Sequence, residues 1–149
     1  MESGLEHESI ERHRRSIADG AQARERARGP AIEGLSRIVT AIRGNPGSGQ
    51  VRRLVAFLGG LYNGERFPFD MTDMRAVDTE LSGACLDVLA YDRFGVHEIH
   101  RWGVISDVEL NELLASYGLY YRAQQRRIGR TLYQERYGDD GHPDEGMGA

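Results

Sequence analysis

Apolar residues recur every three or four positions through the middle of this chain, and that period constrains the fold more than any other feature. Ile32, Leu35, Ile38, Val39 and Ile42 follow it first. Val51, Leu54, Val55, Leu58, Leu61 and Tyr62 follow it next, with Phe57 on the margin. Met71, Met74, Val77, Leu81, Ala84, Cys85, Val88 and Leu89 continue it. A helix of 3.6 residues per turn gathers each set onto one side, whereas a strand would scatter it over both faces. The chain is therefore expected to be all-α, a small orthogonal or bundle-like helical domain.

Between the periodic runs stand turn residues with assignable roles. Gly44-Asn45-Pro46-Gly47 stops the first helix near residue 43, and Ser48 is a suitable N-cap for a second over 49–62. Gly59 and Gly60 interrupt that helix at about 1 kcal/mol each relative to alanine. Either something packs against the backbone there or the helix bends. Pro68 disfavours helix at Phe67, so residues 65–69 read as an irregular link whose two phenylalanines fill the core. Asp70 or Thr72 caps a third helical segment, which Thr79 divides into a short and a longer part and Gly95 ends. Residues 95–105 fit a short strand or an irregular connector equally. Ser106 and Glu109 have capping-box spacing and open a helix through Val108, Leu110, Leu113 and Leu114, stopped by Gly118.

The ends differ from this middle. Residues 1–29 hold six acids and six arginines, and only Leu5, Ile10 and Ile17 are large and apolar. They read as a charged N-terminal arm or helix, bounded by Gly29-Pro30, with Pro30 in the first turn of the next helix. Residues 30–118 form the helical core domain. Residues 119–137 carry five arginines against one acid, interleaved with tyrosines, and read as a Tyr/Arg helical extension. Residues 138–149 are acidic and glycine-rich, the composition of a disordered tail.

Charge and cysteine usage narrow the function classes. The net charge of -4 gives no general affinity for nucleic acid phosphate. It is unevenly spread: residues 31–63 carry +3, 64–116 carry -7 and 117–137 carry +4. A dipolar chain of this kind suits a protein partner or self-association. All nineteen basic residues are arginine, a bias that runs through the whole chain and reads first as the mark of a GC-rich coding genome. The one cysteine, Cys85, sits in an apolar pattern and reads as a core residue, which leaves no disulfide framework or cysteine zinc site within one chain. No apolar run of signal-peptide or membrane-spanning type occurs, so the expected location is the cytoplasm.

Four groups of residues invite a chemical reading. Gly44 to Gln50 has the glycine spacing of a phosphate-binding loop, but Gln50 and Val51 stand where lysine and a hydroxyl residue belong, and a helix precedes it instead of a strand. An anion held at the next helix N-terminus by Gly49, Gln50, Arg52 and Arg53 is the simpler form; a plain helix–helix connector is the alternative. Asp70 and Asp73 are weak catalytic candidates that serve equally as helix-capping acids. His97 and His100, beside Glu98, are weak candidates for metal or acid–base work, but the spacing is not that of a zinc helix and no third ligand is evident. Neither a metal nor a cofactor is expected. The strongest candidate surface is Tyr120, Tyr121, Arg122, Arg126, Arg127, Arg130 and Tyr133, because tyrosine and arginine dominate binding hot spots and also stack on single-stranded nucleic acid. The alternative is a surface helix whose tyrosines pack back on the domain.

Taken together, GNPGSGQVRRLVAFLGGLYN, FDMTDMRAVD, LDVLAYD and HEIHRW resemble an uncharacterised bacterial domain family encoded on plasmids, integrated conjugative elements and prophages. The resemblance spans residues 32–118 and rests on Gly49 and Gln50, on Tyr62 and Asn63, and on Phe69, Asp70, Thr72, Asp73 and Asp78. Tyr62 departs from it, standing where the pattern has tryptophan, and the link before Phe69 is short. The family carries no established activity. The resemblance implies an accessory gene of a mobile element, a class that includes regulators, adaptors and inhibitors of host defence. The expected function is a non-enzymatic protein-interaction module that binds another protein or itself. A nucleic-acid-associated factor using the 117–137 arginines is the second reading, and a small metal-dependent hydrolase the third.

Overall fold

In the computed structural model, residues 2–120 and Arg136 are described. Among them every regular element is helical: α1 (Glu2–Gly44), α2 (Gly49–Tyr62), α3 (Thr79–Asp92) and α4 (Asp107–Ser116), with 3-10 helices at Met71–Ala76 and Ile99–Arg101. The fold is a small all-α domain. The expectations for residues 121–135 and 137–149, an extended helix and a disordered tail, lie outside the described residues.

α1 corrects one expectation. Gly29-Pro30 does not break the chain; a single helix of 43 residues runs through it. Proline in a helix interior removes one hydrogen bond and crowds the carbonyl four residues back. It also crowds the Cβ of the residue before it, and here that residue is a glycine with no Cβ. The flanking Ala, Arg and Glu residues favour helix on both sides. Burial, in contrast, changes sharply at this point. Every residue from 3 to 19 is exposed, and Ala31 is the first buried residue. At about 1.5 Å per residue α1 is about 65 Å long, and more than half of it projects from the domain.

The domain is two antiparallel helix pairs sharing one core. Gly34 lies against Ala84 and Asp87, while Arg37 lies 3.9 Å from Glu80, so α1 and α3 run in opposite directions. A Cβ on Gly34 would stand 2.8 Å from the Ala84 carbonyl oxygen, which is why this close crossing needs glycine. α2 and α4 pair likewise: Gly59 meets Leu114, and one turn later Tyr62 meets Asp107. Gly59 also admits Phe67, and Gly60 admits Phe69, so the glycine pair is explained by side chains seated on backbone. Leu35, Ile38, Leu54, Leu58, Cys85, Val88, Ile99, Leu110 and Leu114 form the centre. Phe67 is buried with them, and Phe69 closes the edge against Phe57 at 5.6 Å between ring centroids.

The corners are held by polar side chains. Ser48 accepts from the Val51 N–H at 3.1 Å and caps α2. Gly47 adopts φ of +83°, and its N–H donates to the Tyr117 hydroxyl. The Arg43 guanidinium donates twice to the Glu109 carboxylate, at 2.8 and 2.7 Å, and ties the end of α1 to the start of α4. Glu109 thus serves α1 instead of completing the capping box; the Ser106 half forms, accepting from the Glu109 N–H at 3.1 Å. Residues 95–105 contain no strand. They turn at Gly95 (φ +63°) and form the 3-10 helix Ile99–Arg101, pinned by buried Ile99 and Ile105 and by Trp102, which packs on Tyr91 and donates to the His97 carbonyl. Leu119 is part of the core, so packing extends past the glycine stop at 118.

Candidate functional site

Where α2 ends, the apolar stripe finishes in a tyrosine, and a polar and aromatic surface forms around it. The Tyr62 hydroxyl donates to Asp107 at 2.8 Å. The Asn111 amide donates to the Asp107 carbonyl at 2.8 Å and approaches the Tyr62 hydroxyl at 3.3 Å. The Tyr120 hydroxyl donates to the other side of the same amide, at Asn111 Oδ1. The Tyr120 ring meets Phe67 edge-on at 5.2 Å, and the Arg66 guanidinium lies 4.6 Å from the Tyr120 ring centre, within cation–π range. On the opposite side His100 packs edge-on against Tyr62 at 5.7 Å. One connected surface thus draws on α2, the link, the second 3-10 helix, α4 and the residue after Leu119.

Tyr120 and His100 are candidates in the sequence, and Tyr62 stands there only as an apolar-face and pattern residue; Arg66, Asp107 and Asn111 are not singled out. Their signal was available in part. Asn111 interrupts the apolar face of α4 one turn after Asp107, and a half-buried amide on such a face needs partners. Of the other tyrosines and arginines proposed for a partner, Tyr121, Arg122, Arg126, Arg127, Arg130 and Tyr133 lie outside the described residues.

Of the Gly49–Arg53 candidates, Gly49, Gln50 and Arg53 are drawn into structural contacts. The Gln50 side chain forms a two-point clamp on Asp78: its amide donates to the Asp78 carboxylate at 3.1 Å, and its oxygen accepts from the Asp78 N–H at 2.6 Å. Asp78 in turn caps α3, accepting from the Leu81 N–H at 2.8 Å. Arg53 donates to the Gly49 carbonyl and faces Asp73 at 3.9 Å, while Arg52 is exposed. The α2 N-terminus is thereby joined to the α3 N-terminus through glutamine, and one of its two arginines already faces a carboxylate.

The weak catalytic candidates occupy positions with local explanations. Asp70 caps the first 3-10 helix, accepting from the Thr72 N–H and hydroxyl at 2.9 and 2.7 Å. Those bonds hold its carboxyl below the usual range, the state of a capping acid and not of a proton donor at neutral pH. Asp73 follows in the first turn of the same element. His97 is exposed, whereas His100 is half-buried and its Nδ1 is enclosed without a hydrogen-bond partner among the described residues. Among the described residues no three His, Cys, Asp or Glu side chains converge as a metal site. Burial pushes the Cys85 thiol up to about 12, so it stays a protonated core residue and not a nucleophile. No described helix is long and apolar enough to cross a membrane.

Neither a curated protein nor a solved structure matches the chain. A family described as a family of unknown function (DUF7673) matches residues 32–118. That span holds the end of α1, all of α2 to α4 and the Tyr62, His100, Asp107 and Asn111 surface, and leaves out the projecting part of α1 and everything from Leu119 onward. Because the match covers well over half of the 149 residues, the chain belongs to this family of unknown function, DUF7673.

Proposed function

We propose that the chain is a non-enzymatic protein-interaction module of the bacterial cytoplasm, an accessory product of a mobile genetic element that regulates or inhibits a host complex. The observation that carries the reading is the seating of Tyr120. Held by Asn111, Phe67 and Arg66, it fixes the start of the Tyr/Arg segment to the domain next to Tyr62 and His100. A partner meeting that segment would therefore also meet a prearranged aromatic and charged surface, the composition that dominates binding energy at interfaces. The mobile-element setting follows from the resemblance carried by Gly49 to Asp78.

Affinity purification from the native host tests it. The tagged chain is expected to retain a protein partner, and a chain carrying Arg126→Glu and Arg130→Glu is expected to lose it while keeping the helical circular dichroism of the parent. A partner held equally by both would remove the segment from the interface. The +4 charge of residues 117–137 supports nucleic acid as the second reading. If it holds, binding to single-stranded DNA or RNA falls steeply between 50 and 200 mM salt, as phosphate contacts require; no binding at low salt rejects it.

A further inference from the structure

The projecting part of α1 continues a stripe that the domain buries. Ile38 and Ala31 are buried; at intervals of seven residues the same line passes through Arg24, Ile17 and Ile10. Ile17 and Ile10 are 61% and 51% exposed. Seven is the repeat of helices that pair side by side, because successive members stay on one face. Leu5 falls outside this line, about 140° around the helix from Ile10 at about 100° per residue.

Charge along the projection selects the occupant and its direction. Residues 2–11 carry four acids and no arginine, and residues 12–28 carry six arginines and two acids. The two stretches have net charges of -4 and +4. A second copy laid parallel would set acid on acid and arginine on arginine. Laid antiparallel, it sets the acidic stretch of each chain on the basic stretch of the other. The antiparallel arrangement also keeps the folded bodies apart. They begin at Ala31, about 21 Å along α1 from Ile17, and lie at opposite ends of the pair.

We infer that the face of α1 that carries Ile10, Ile17 and Arg24 is a self-association surface, on which a second copy of this chain docks antiparallel and covers Ile10 and Ile17. The inference is independent of the partner surface proposed above, since it uses the other end of the chain and needs only purified protein.

Sedimentation equilibrium of the full chain at low salt is the test. The expected mass is twice the 16.7 kDa of one chain, falling toward one as salt screens the charges. The double variant Ile10→Gln/Ile17→Gln, which leaves every charge in place, is expected to weaken the dimer at least about tenfold, the equivalent of about 1.4 kcal/mol. At high salt, where both are expected to be monomeric, its thermal transition should match that of the parent. Leu5→Gln, off the stripe, should leave the dimer unchanged. A Ser3→Cys chain should fail to cross-link to its own copy on mild oxidation, because antiparallel pairing separates the two ends. A full-length monomer, a dimer indifferent to the isoleucine changes, equal weakening by Leu5→Gln, or a ready Ser3→Cys disulfide would each overturn the inference.

Discussion

Single atoms decide several contacts in this domain. Gly34 is the sharpest case, because the neighbour a side chain would strike is the Ala84 backbone carbonyl and not a rotatable group. Alanine would gain about 1 kcal/mol in helix propensity. It would also force α1 and α3 apart, and overpacking of this kind costs about 1–3 kcal/mol. Gly34→Ala is therefore expected to lower stability by up to about 2 kcal/mol net, read as a lower urea midpoint with unchanged slope. At Gly59 the nearest obstacle is the tip of Leu114, which can rotate, so the two glycines are not equivalent. Glu109 supplies a pH dependence. The Arg43 hydrogen bonds hold its carboxyl below the ordinary 4.5. A depressed acid stabilises the folded state above the ordinary carboxylate range and loses that contribution as pH falls through the folded value. Glu109→Gln should accordingly melt slightly below the parent at pH 7, by less than about 3 °C for so exposed a pair. The two curves should converge as pH falls through that lowered folded value, and a difference that persists in more acid solution would place the effect elsewhere.

The elements show what the sequence states and what it withholds. The Ser48 cap, the reach of α2 to Tyr62, the division near Thr79 and the Gly118 stop are written in local chemistry, and each forms as read. Residues 95–105 were ambiguous because Val96, Glu98 and His100 against His97, Ile99 and Arg101 give no clean alternation, while the anchors Ile99 and Ile105 stand six apart, off the helix period. Gly29-Pro30 misleads because it carries a helix-start signature, whereas the missing Cβ of Gly29 lets the helix pass. The site was legible only in its residue types. Gln50 and the three aspartates stand out in the sequence, yet nothing there says that Gln50 will spend both ends of its amide on Asp78. That clamp joins two helix N-termini 28 positions apart, so it belongs to the packing of elements and not to either one. Gln50→Ala is expected to cost about 1 kcal/mol in chemical denaturation. In a double-mutant cycle its effect should couple to that of Asp78→Ala, because the two share the same bonds.

At the scale of the molecule, the chain joins a small helical body to one helix longer than the body needs. The core-forming stretch of α1 begins at Ala31, and the preceding residue is Pro30. Proline has no amide hydrogen, so the Arg26 carbonyl lacks its helical donor at the point where the helix leaves the domain. The α1 ladder therefore lacks one hydrogen bond at the seam. Outward of it, the helix rests on its own short-range pairs, such as Glu8 with Arg12 and Glu11 with Arg15, and inward it rests on the core. A strain applied to the far end would be absorbed as bending about residues 26–30 before it reached Leu35 or Ile38. Pro30 thus works as a mechanical fuse: it lets the outer shaft swing, fray or be pulled while the body it is continuous with keeps its shape.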